Sequence, residues 1–329
     1  MIITLTCNPA LDKTIELDSP LAPGAVQRAR AARVQAAGKG VNVARALHAA
    51  GAECLALLPG SPSDPLVREL AADRLPHRTL PIDAALRTNI TLVDPYGTTT
   101  KINEPGPVLS AGALQDLQAL ISSSIEQFNA SWLVLAGSLP PGMPFDYYAQ
   151  LIAALRSSFK ERCPKIAVDT SGAPLKALYA FGPEHVPDLV KPNGQELAEL
   201  AGASCSEAEL EASPQLAAAA CARLLEHGTT AVLATLGASG AVLATAAGTW
   251  HAVHEPVTVR STVGAGDSSL AGYLLADAAG AEPVQKLRWA AAYGSAAASL
   301  PGSTIPTHDD LRLDAVTVTA LEQRQGSHS

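Results

Sequence analysis

The sequence predicts an α/β protein with a mostly parallel central sheet, helices on both of its faces and a small antiparallel flap. Three observations carry that expectation. Short apolar runs alternate with helical patterns along most of the chain. Most of the strand candidates end in polar loops rich in Gly or Pro. Two segments break the alternation with short strands interrupted by Pro and Gly.

In chain order, "IITLTC" from Ile2 is the first candidate strand, and the irregular segment "DKTIELDSPLAPGAVQRARAARVQ" follows it. A helical pattern covers about 41–50, "CLALLP" from Cys54 is the next strand, and "LRTNITLVDPYGTTTKINEPG" is the second irregular segment. Further helices are expected at about 110–129, 145–160, 194–201 and 214–227. Between them lie the strands "WLVLAG" from Trp132, "KIAVDT" from Lys165 and "DLVKPN" from Asp188, with "AVLATLG" from Ala231 after the last. Such alternation reads as βαβ units, and the two irregular segments read as antiparallel strands added as a flap. The stretch at about 266–300 is Ala-rich and helical, and the polar tail "EQRQGSHS", residues 322–329, is expected to fray.

The 329 residues are 47% apolar and 16% charged, the composition of a folded globular protein. A net charge of −8 speaks against nucleic acid and against an anionic membrane surface as partners. The five cysteines are dispersed and include no C-x-x-C, so neither a zinc site nor a disulfide framework is expected. The start lacks a charged region followed by an apolar run, and no window reaches the roughly 18 apolar residues of a membrane span. The expected location is the cytoplasm.

Ligands of open parallel sheets bind outside the carboxyl ends of the strands. The loops "TCNPALD", "AGSLPPG", "DTSG", "KPNGQE" and "TLGASG" should therefore line one crevice. In "TVGAGDS", the loop Gly264-Ala265-Gly266 opens a helix, so free amides and the positive end of the helix dipole suit an anion. Asp267 there could take a proton from a bound hydroxyl, or it could simply cap the helix. As a dinucleotide fingerprint the stretch is late in the chain and carries Ser269 in place of the third Gly.

"AAGKGVNVARAL" places Gly38, Lys39 and Asn42 where a helix begins, but Gly40 after the lysine rules out a Walker A loop. Asn193 and Glu196 stand three apart at a strand–helix junction, which suits water-mediated contact with magnesium on a nucleotide and equally suits an ordinary N-terminal cap. Thr235, Gly237 and Gly240 form a tight strand–turn–strand that could offer a shelf to a flat ring or be a plain hairpin. Asp12 could accept sugar hydroxyls and Arg87 could grip a phosphate, though each taken alone reads as well as a solvated surface charge.

Together and in this order, "TCNPALD", "GKGVNVARAL", "KINEPGP", "GSLPPGMP", "KPNGQE" and "TVGAGDS" resemble the ribokinase-like (PfkB) sugar kinases over about residues 1–305. "KINEPGP" and "NPALD" narrow the resemblance to the branch that contains 1-phosphofructokinase and tagatose-6-phosphate kinase. The resemblance implies one ribokinase-like domain over 1–329, a three-layer α/β/α sandwich with a β-lid built from about 12–36 and 86–104. It implies ATP as donor with Mg²⁺ near Asn193 and Glu196, Asp267 as catalytic base, and an anion hole of the Gly264, Ala265 and Gly266 amides. Thr235, Gly237 and Gly240 would hold ATP. Asp12, Gly38, Lys39, Asn42 and Ser138 would hold the sugar, with Arg87 and Arg28 on its phosphate. A homodimer through the lid is also implied.

The activity so implied is ATP-dependent phosphorylation of a ketohexose monophosphate, foremost fructose 1-phosphate to fructose 1,6-bisphosphate. Tagatose 6-phosphate and fructose 6-phosphate are the alternative acceptors, and a non-catalytic phosphosugar sensor is a remote one. One departure stands out. The family usually has G-G-K-G where this chain has Ala37-Gly38-Lys39-Gly40, and the methyl of Ala37 is compatible with that loop only at negative φ.

Overall fold

Ile2–Thr6 forms strand β1, five consecutive buried residues of the kind that fit only a sheet covered on both faces. The structure is a computed structural model and describes residues 1–202 and 205–321, so the expected tail at 322–329 lies outside the described residues. After β1 the chain makes a hairpin, β2 (Ala10–Leu17) with β3 (Ala29–Ala37), and returns through helix α1 (Lys39–Ala49). Strand β4 (Cys54–Pro59), helix α2 (Pro65–Ala72) and strand β5 (His77–Leu80) precede a second hairpin, β6 (Arg87–Val93) with β7 (Thr99–Asn103). Helix α3 (Ala111–Phe128) leads to β8 (Trp132–Ala136), and α4 (Tyr147–Phe159) leads to β9 (Lys165–Asp169). Then come α5 (Gly172–Ala177), β10 (Leu189–Val190), α6 (Gly194–Leu200), α7 (Glu207–Ala212) and α8 (Pro214–Glu226). The chain ends with β11 (Ala231–Thr235), β12 (Ala241–Thr245), β13 (Gly248–His254), α9 (Ala265–Ala278), α10 (Pro283–Ser299) and β14 (Val316–Ala320).

The central sheet has the order β14-β13-β12-β11-β10-β9-β8-β1-β4-β5. Its pairs from β5 to β11 are parallel, and β12, β13 and β14 are added antiparallel. Because side chains alternate across a strand, the strands feed two cores. Ile3, Leu5, Leu133, Leu135, Ile166 and Val168 pack with Leu117 and Ile121 of α3 and Leu151 and Ile152 of α4 on one face. Ile2, Trp132, Val134, Ala136 and Ala167 pack with Val41 and Leu47 of α1, Leu270 and Leu274 of α9 and Leu287 of α10 on the other. That is the expected three-layer α/β/α arrangement.

The lid is a separate sheet of order β3-β2-β6-β7. Both of its hairpins are antiparallel, as expected, but β2 pairs with β6 in parallel. The reason lies in the main sheet. β2 follows β1 and β6 follows β5, both members of the parallel set, so the two hairpins leave the same edge in the same direction. Among the elements, α2, β5, α5, α7, β13 and β14 are additional to the expected ones, all of them short. The Ala-rich stretch is two helices, because Gly280 (φ 72°) ends α9 and Pro283 opens α10.

Helices α9 and α10 approach so closely that small residues are required at two crossing points. A Cβ on Gly272 would lie 2.6 Å from the Trp289 carbonyl oxygen, and one on Gly294 would collide with Ser269 Oγ. At the far end of α9, Asp277 accepts a hydrogen bond from Trp132 Nε1 (2.8 Å) and ion pairs with Lys286 (2.6 Å) and Lys165 (3.2 Å). Trp132 and Lys165 begin β8 and β9, so the helix is pinned at the amino edge of the sheet while its first turn reaches the carboxyl edge. Substituting Gly272→Val should overpack this contact and lower the unfolding free energy by about 1–3 kcal/mol in urea titration. A midpoint equal to that of the unsubstituted protein would refute the close approach.

Candidate active site

Gly264 sits at φ 77°, a left-handed conformation that glycine adopts freely, and α9 begins directly after it. Its first turn leaves backbone N–H groups without helical carbonyls, and there are no acids in that turn other than Asp267. The Ala265 amide reaches back only to Thr262 O at 3.4 Å, and Ser268 N already bonds Gly264 O at 2.8 Å. Asp267 is the third helical residue and makes no cap hydrogen bond, so the capping alternative does not describe it. Its carboxylate is 7% exposed and accepts from Asn42 Nδ2 at 2.7 Å. Burial and the neighbouring charge of Asp169 push Asp267 up to about 6, against Lys39, Lys191 and the Asn42 hydrogen bond.

Lys39 opens α1, and Asn42 follows one turn later with its backbone N–H on Gly38 O at 2.8 Å. Lys39 Nζ lies 2.6 Å from Asp169 Oδ1 and 3.9 Å from Glu196 Oε1. Burial opposes its charge, but Asp169, Asp267 and Glu196 outweigh it and hold the ammonium above its ordinary range. Asp169 ends β9 with no solvent exposure and is also 3.1 Å from Lys191, itself 3% exposed. Burial alone would raise the Asp169 carboxyl, yet the two lysines hold it below its usual range. Gly38 has φ 128°, whereas Ala37 is not among the residues at positive φ, so its methyl fits the loop.

Asn193 and Glu196 form a full capping box on α6: Asn193 Oδ1 accepts from Glu196 N at 2.8 Å, and Glu196 Oε2 accepts from Asn193 N at 2.9 Å. The cap leaves Glu196 Oε1 over. Among the described residues no three His, Cys, Asp or Glu converge into a metal cage, so any divalent ion here would need phosphates and water as its other ligands. One carboxylate oxygen outside the cap, 3.9 Å from Lys39 Nζ, fits that arrangement. Thr235 lies against this junction through a parallel bridge to Asn193, with Thr235 N on Pro192 O at 2.9 Å. The turn after it is tight, Leu236 N bonding Gly240 O at 2.8 Å. Gly237 (φ 55°) and Gly240 (φ 92°) both need positive φ, and a side chain at Gly240 would collide with the Ala252 carbonyl.

On the lid side, Asp12 of β2 accepts from Asn89 Nδ2 of β6 at 3.0 Å. Burial raises the Asp12 carboxyl, opposed by Asn89, Arg87 and Lys101. Arg87 donates from Nη1 to Glu104 O (3.1 Å) and from Nη2 to Ser138 Oγ (3.4 Å), while burial draws its guanidinium down against Asp12 and Glu104. The structure thus brings Gly38, Lys39, Asn42, Asn193, Glu196 and Asp267 together at the carboxyl edge. Asp12, Arg87 and Ser138 gather under the lid. Arg28 stands apart, exposed before β3 and with no ion pair or hydrogen bond among the described residues.

Comparison with known proteins establishes the family. The pattern described as pfkB family carbohydrate kinase matches residues 6–310. The chain belongs to the pfkB family of carbohydrate kinases. As a family member it is an enzyme that transfers phosphate to a sugar hydroxyl. A Rhodobacter capsulatus protein named 1-phosphofructokinase is 34% identical over 97% of this chain and 96% of its own. A Mycobacterium tuberculosis protein named ATP-dependent 6-phosphofructokinase isozyme 2 is 33% identical over 94% of this chain and 87% of its own. Phosphofructokinase-2 of Escherichia coli, solved with substrates and products, superposes with a TM-score of 0.82 at 30% identity, covering 94% of this chain and 96% of that one. A ribokinase of Thermotoga maritima shares the fold, with a TM-score of 0.72 at 20% identity over 96% of this chain and 98% of that one.

Sequence reasoning passed over three residues that the carbohydrate kinase places in its crevice. Asp169 and Lys191 each stand at the end of an apolar strand, and a lysine directly behind "DLV" needs a buried carboxylate partner. Asn8, inside "NPALD", is 4% exposed and donates to both Pro105 O and Ser138 Oγ. Removing the Asp169 charge in Asp169→Asn should leave Lys191 buried without a counter-charge and lower stability by about 3–5 kcal/mol. Urea unfolding should find Asp169→Asn/Lys191→Met less destabilised than the sum of its single variants, and additivity would refute the pairing.

Proposed function

We propose that this kinase uses ATP to phosphorylate a ketohexose monophosphate, foremost fructose 1-phosphate, with fructose 1,6-bisphosphate as product. The observation that carries the proposal is a buried carboxylate, Asp267, held by Asn42 beside the first turn of α9, with the lid's Arg87 on the substrate side of the same crevice. Asp267 removes the acceptor hydroxyl proton. The sugar oxygen then bonds to the γ-phosphorus as the bond to the β–γ bridging oxygen breaks and ADP leaves. The amides of Gly264, Ala265 and Gly266 stabilise the charge on the transferring group, so catalysis is mainly positioning and electrostatics.

Mg²⁺ bound with the nucleotide would neutralise phosphate charge, and Glu196 would hold its water shell through Oε1. Thr235, Gly237 and Gly240 hold the nucleotide. Asp12, Gly38, Lys39, Asn42 and Ser138 hold the sugar, and Arg87 its phosphate, with Arg28 a candidate for the same phosphate. Tagatose 6-phosphate or fructose 6-phosphate as acceptor is the second reading, favoured by the relative named 6-phosphofructokinase at nearly the same identity as that named 1-phosphofructokinase. A non-catalytic sensor is disfavoured by the intact Asp267. A homodimer through the lid completes the proposal, and the exposed Val34 of β3 and Ile102 of β7 support it. A cytoplasmic location is part of the same proposal.

ADP release across a panel of free and phosphorylated sugars tests the activity, and no turnover on any ketohexose phosphate overturns it. Asp267→Asn should lose about 10²–10⁴-fold in kcat with its fold retained. Because the base works only when ionised and its pKa is raised to about 6, kcat/KM should fall tenfold per pH unit as pH drops below about 6. A flat profile between pH 5 and 8 would remove Asp267 as the base.

A further inference from the structure

The polar atoms around Arg87 can be followed one by one. Ser138 Oγ lies 3.3 Å from Asn8 Nδ2 and 3.4 Å from Arg87 Nη2. Neither nitrogen can accept a hydrogen bond, so the hydroxyl is the acceptor in both and its two lone pairs are taken. Its single proton has no acceptor among the described residues, and Ser138 is exposed. The proton is therefore free to turn toward a group bound beside it.

The orientation of Asn8 is fixed from the other side. Its Nδ2 also donates to Pro105 O at 3.1 Å, and because a carbonyl only accepts, the amide nitrogen must face it. Asn8 Oδ1 is buried with no partner and lies against Gly106 (φ 94°), where any Cβ would collide with it. Asn8 thus ties the end of β1 to the segment returning from the lid and to the loop after β8. Arg87 holds the same returning segment through Glu104 O, and its Nε is buried with no partner.

We propose that Asn8 is a positioning residue that, with Arg87, turns the Ser138 hydroxyl proton toward an incoming phosphate oxygen and so sets the preference for phosphorylated sugars. This rests on the pocket under the lid being a phosphosugar site. In Asn8→Asp the side chain keeps its size, but an oxygen now faces the Pro105 carbonyl and the carboxylate takes the Ser138 proton. The hydroxyl then turns inward and offers the phosphate nothing.

The test is steady-state kinetics on Asn8→Asp, Ser138→Ala and the double variant, with binding of fructose 1-phosphate followed by calorimetry. Each single variant should raise the fructose 1-phosphate KM about 10- to 100-fold, the range of a hydrogen bond to a charged group, with the ATP KM unmoved. The double variant should be no worse than the worse single one, since both remove the same proton. Additive effects, or sugar and ATP KM rising together, would make Asn8 a structural tie and overturn the proposal. Ser138→Ala keeps the test decisive should Asn8→Asp fail to fold, because an unmoved sugar KM there overturns it alone. If the unsubstituted protein neither binds nor turns over a ketohexose phosphate, the phosphosugar assignment fails and the proposal with it. Turnover by the unsubstituted protein with unmoved KM in the variants overturns the roles of Asn8 and the Ser138 hydroxyl and leaves the phosphosugar assignment standing.

Discussion

Asp169 has no water to solvate it, so its charge persists in the fold only because Lys39 and Lys191 close on it from two different elements. Lys39 begins α1 and Lys191 follows β10, whereas Asp169 ends β9. One carboxylate therefore fixes the relative positions of three strand-end segments. The rest of the crevice hangs on those segments. Asn42 lies one turn beyond Lys39, Asn193 and Glu196 lie two and five residues beyond Lys191, and Gly266 stacks over the Lys191 ammonium, where a Cβ would come within 3.1 Å.

Helix α9 completes the frame because it is restrained at both ends. Near its start, Asn42 donates to Asp267; near its end, Asp277 is bound to Trp132, Lys165 and Lys286. Between them, Gly272 and Gly294 let α10 lie close along it. A carboxylate at the head of a helix is only as well placed as the helix, and this one is buried on nearly every side. The positive pole of its dipole and the raised carboxyl of Asp267 then share one short stretch of chain.

Much of this was legible in the sequence because its carriers are patterns several residues long. Apolar runs such as "WLVLA" could only be buried strands, and the loops behind them had to meet at one edge of a parallel sheet. "TVGAGDS" could announce a helix start, but not whether Asp267 capped it; the cap is excluded by the depth of the side chain and its partner Asn42, which lies 225 residues away along the chain. The parallel union of β2 with β6 was not legible, since it follows from where two distant hairpins leave the sheet. Asp169, Lys191 and Asn8 were missed because each is a single polar residue whose meaning is its burial, and burial is a property of the fold. Gly280 and Pro283 did carry the signal that splits the Ala-rich stretch, and composition masked it.

The charge distribution shows why a net count is a poor guide to this crevice. The chain as a whole carries −8. At the carboxyl edge, however, Lys39 and Lys191 face Asp169, Asp267 and Glu196, while Arg87 in the lid has Asp12 and Glu104 as its neighbouring charges. The two lysines are not equivalent in this balance. Lys191 is 3% exposed and has Asp169 as its ion-pair partner, so it neutralises the buried carboxylate at rest. The Lys39 side chain is 35% exposed and shared between Asp169 and Glu196, so it is the less enclosed of the two cations. Cations and carboxylates at this edge therefore balance one another closely. One edge of an acidic protein thereby gathers cations without a standing patch of unpaired positive charge among the described residues.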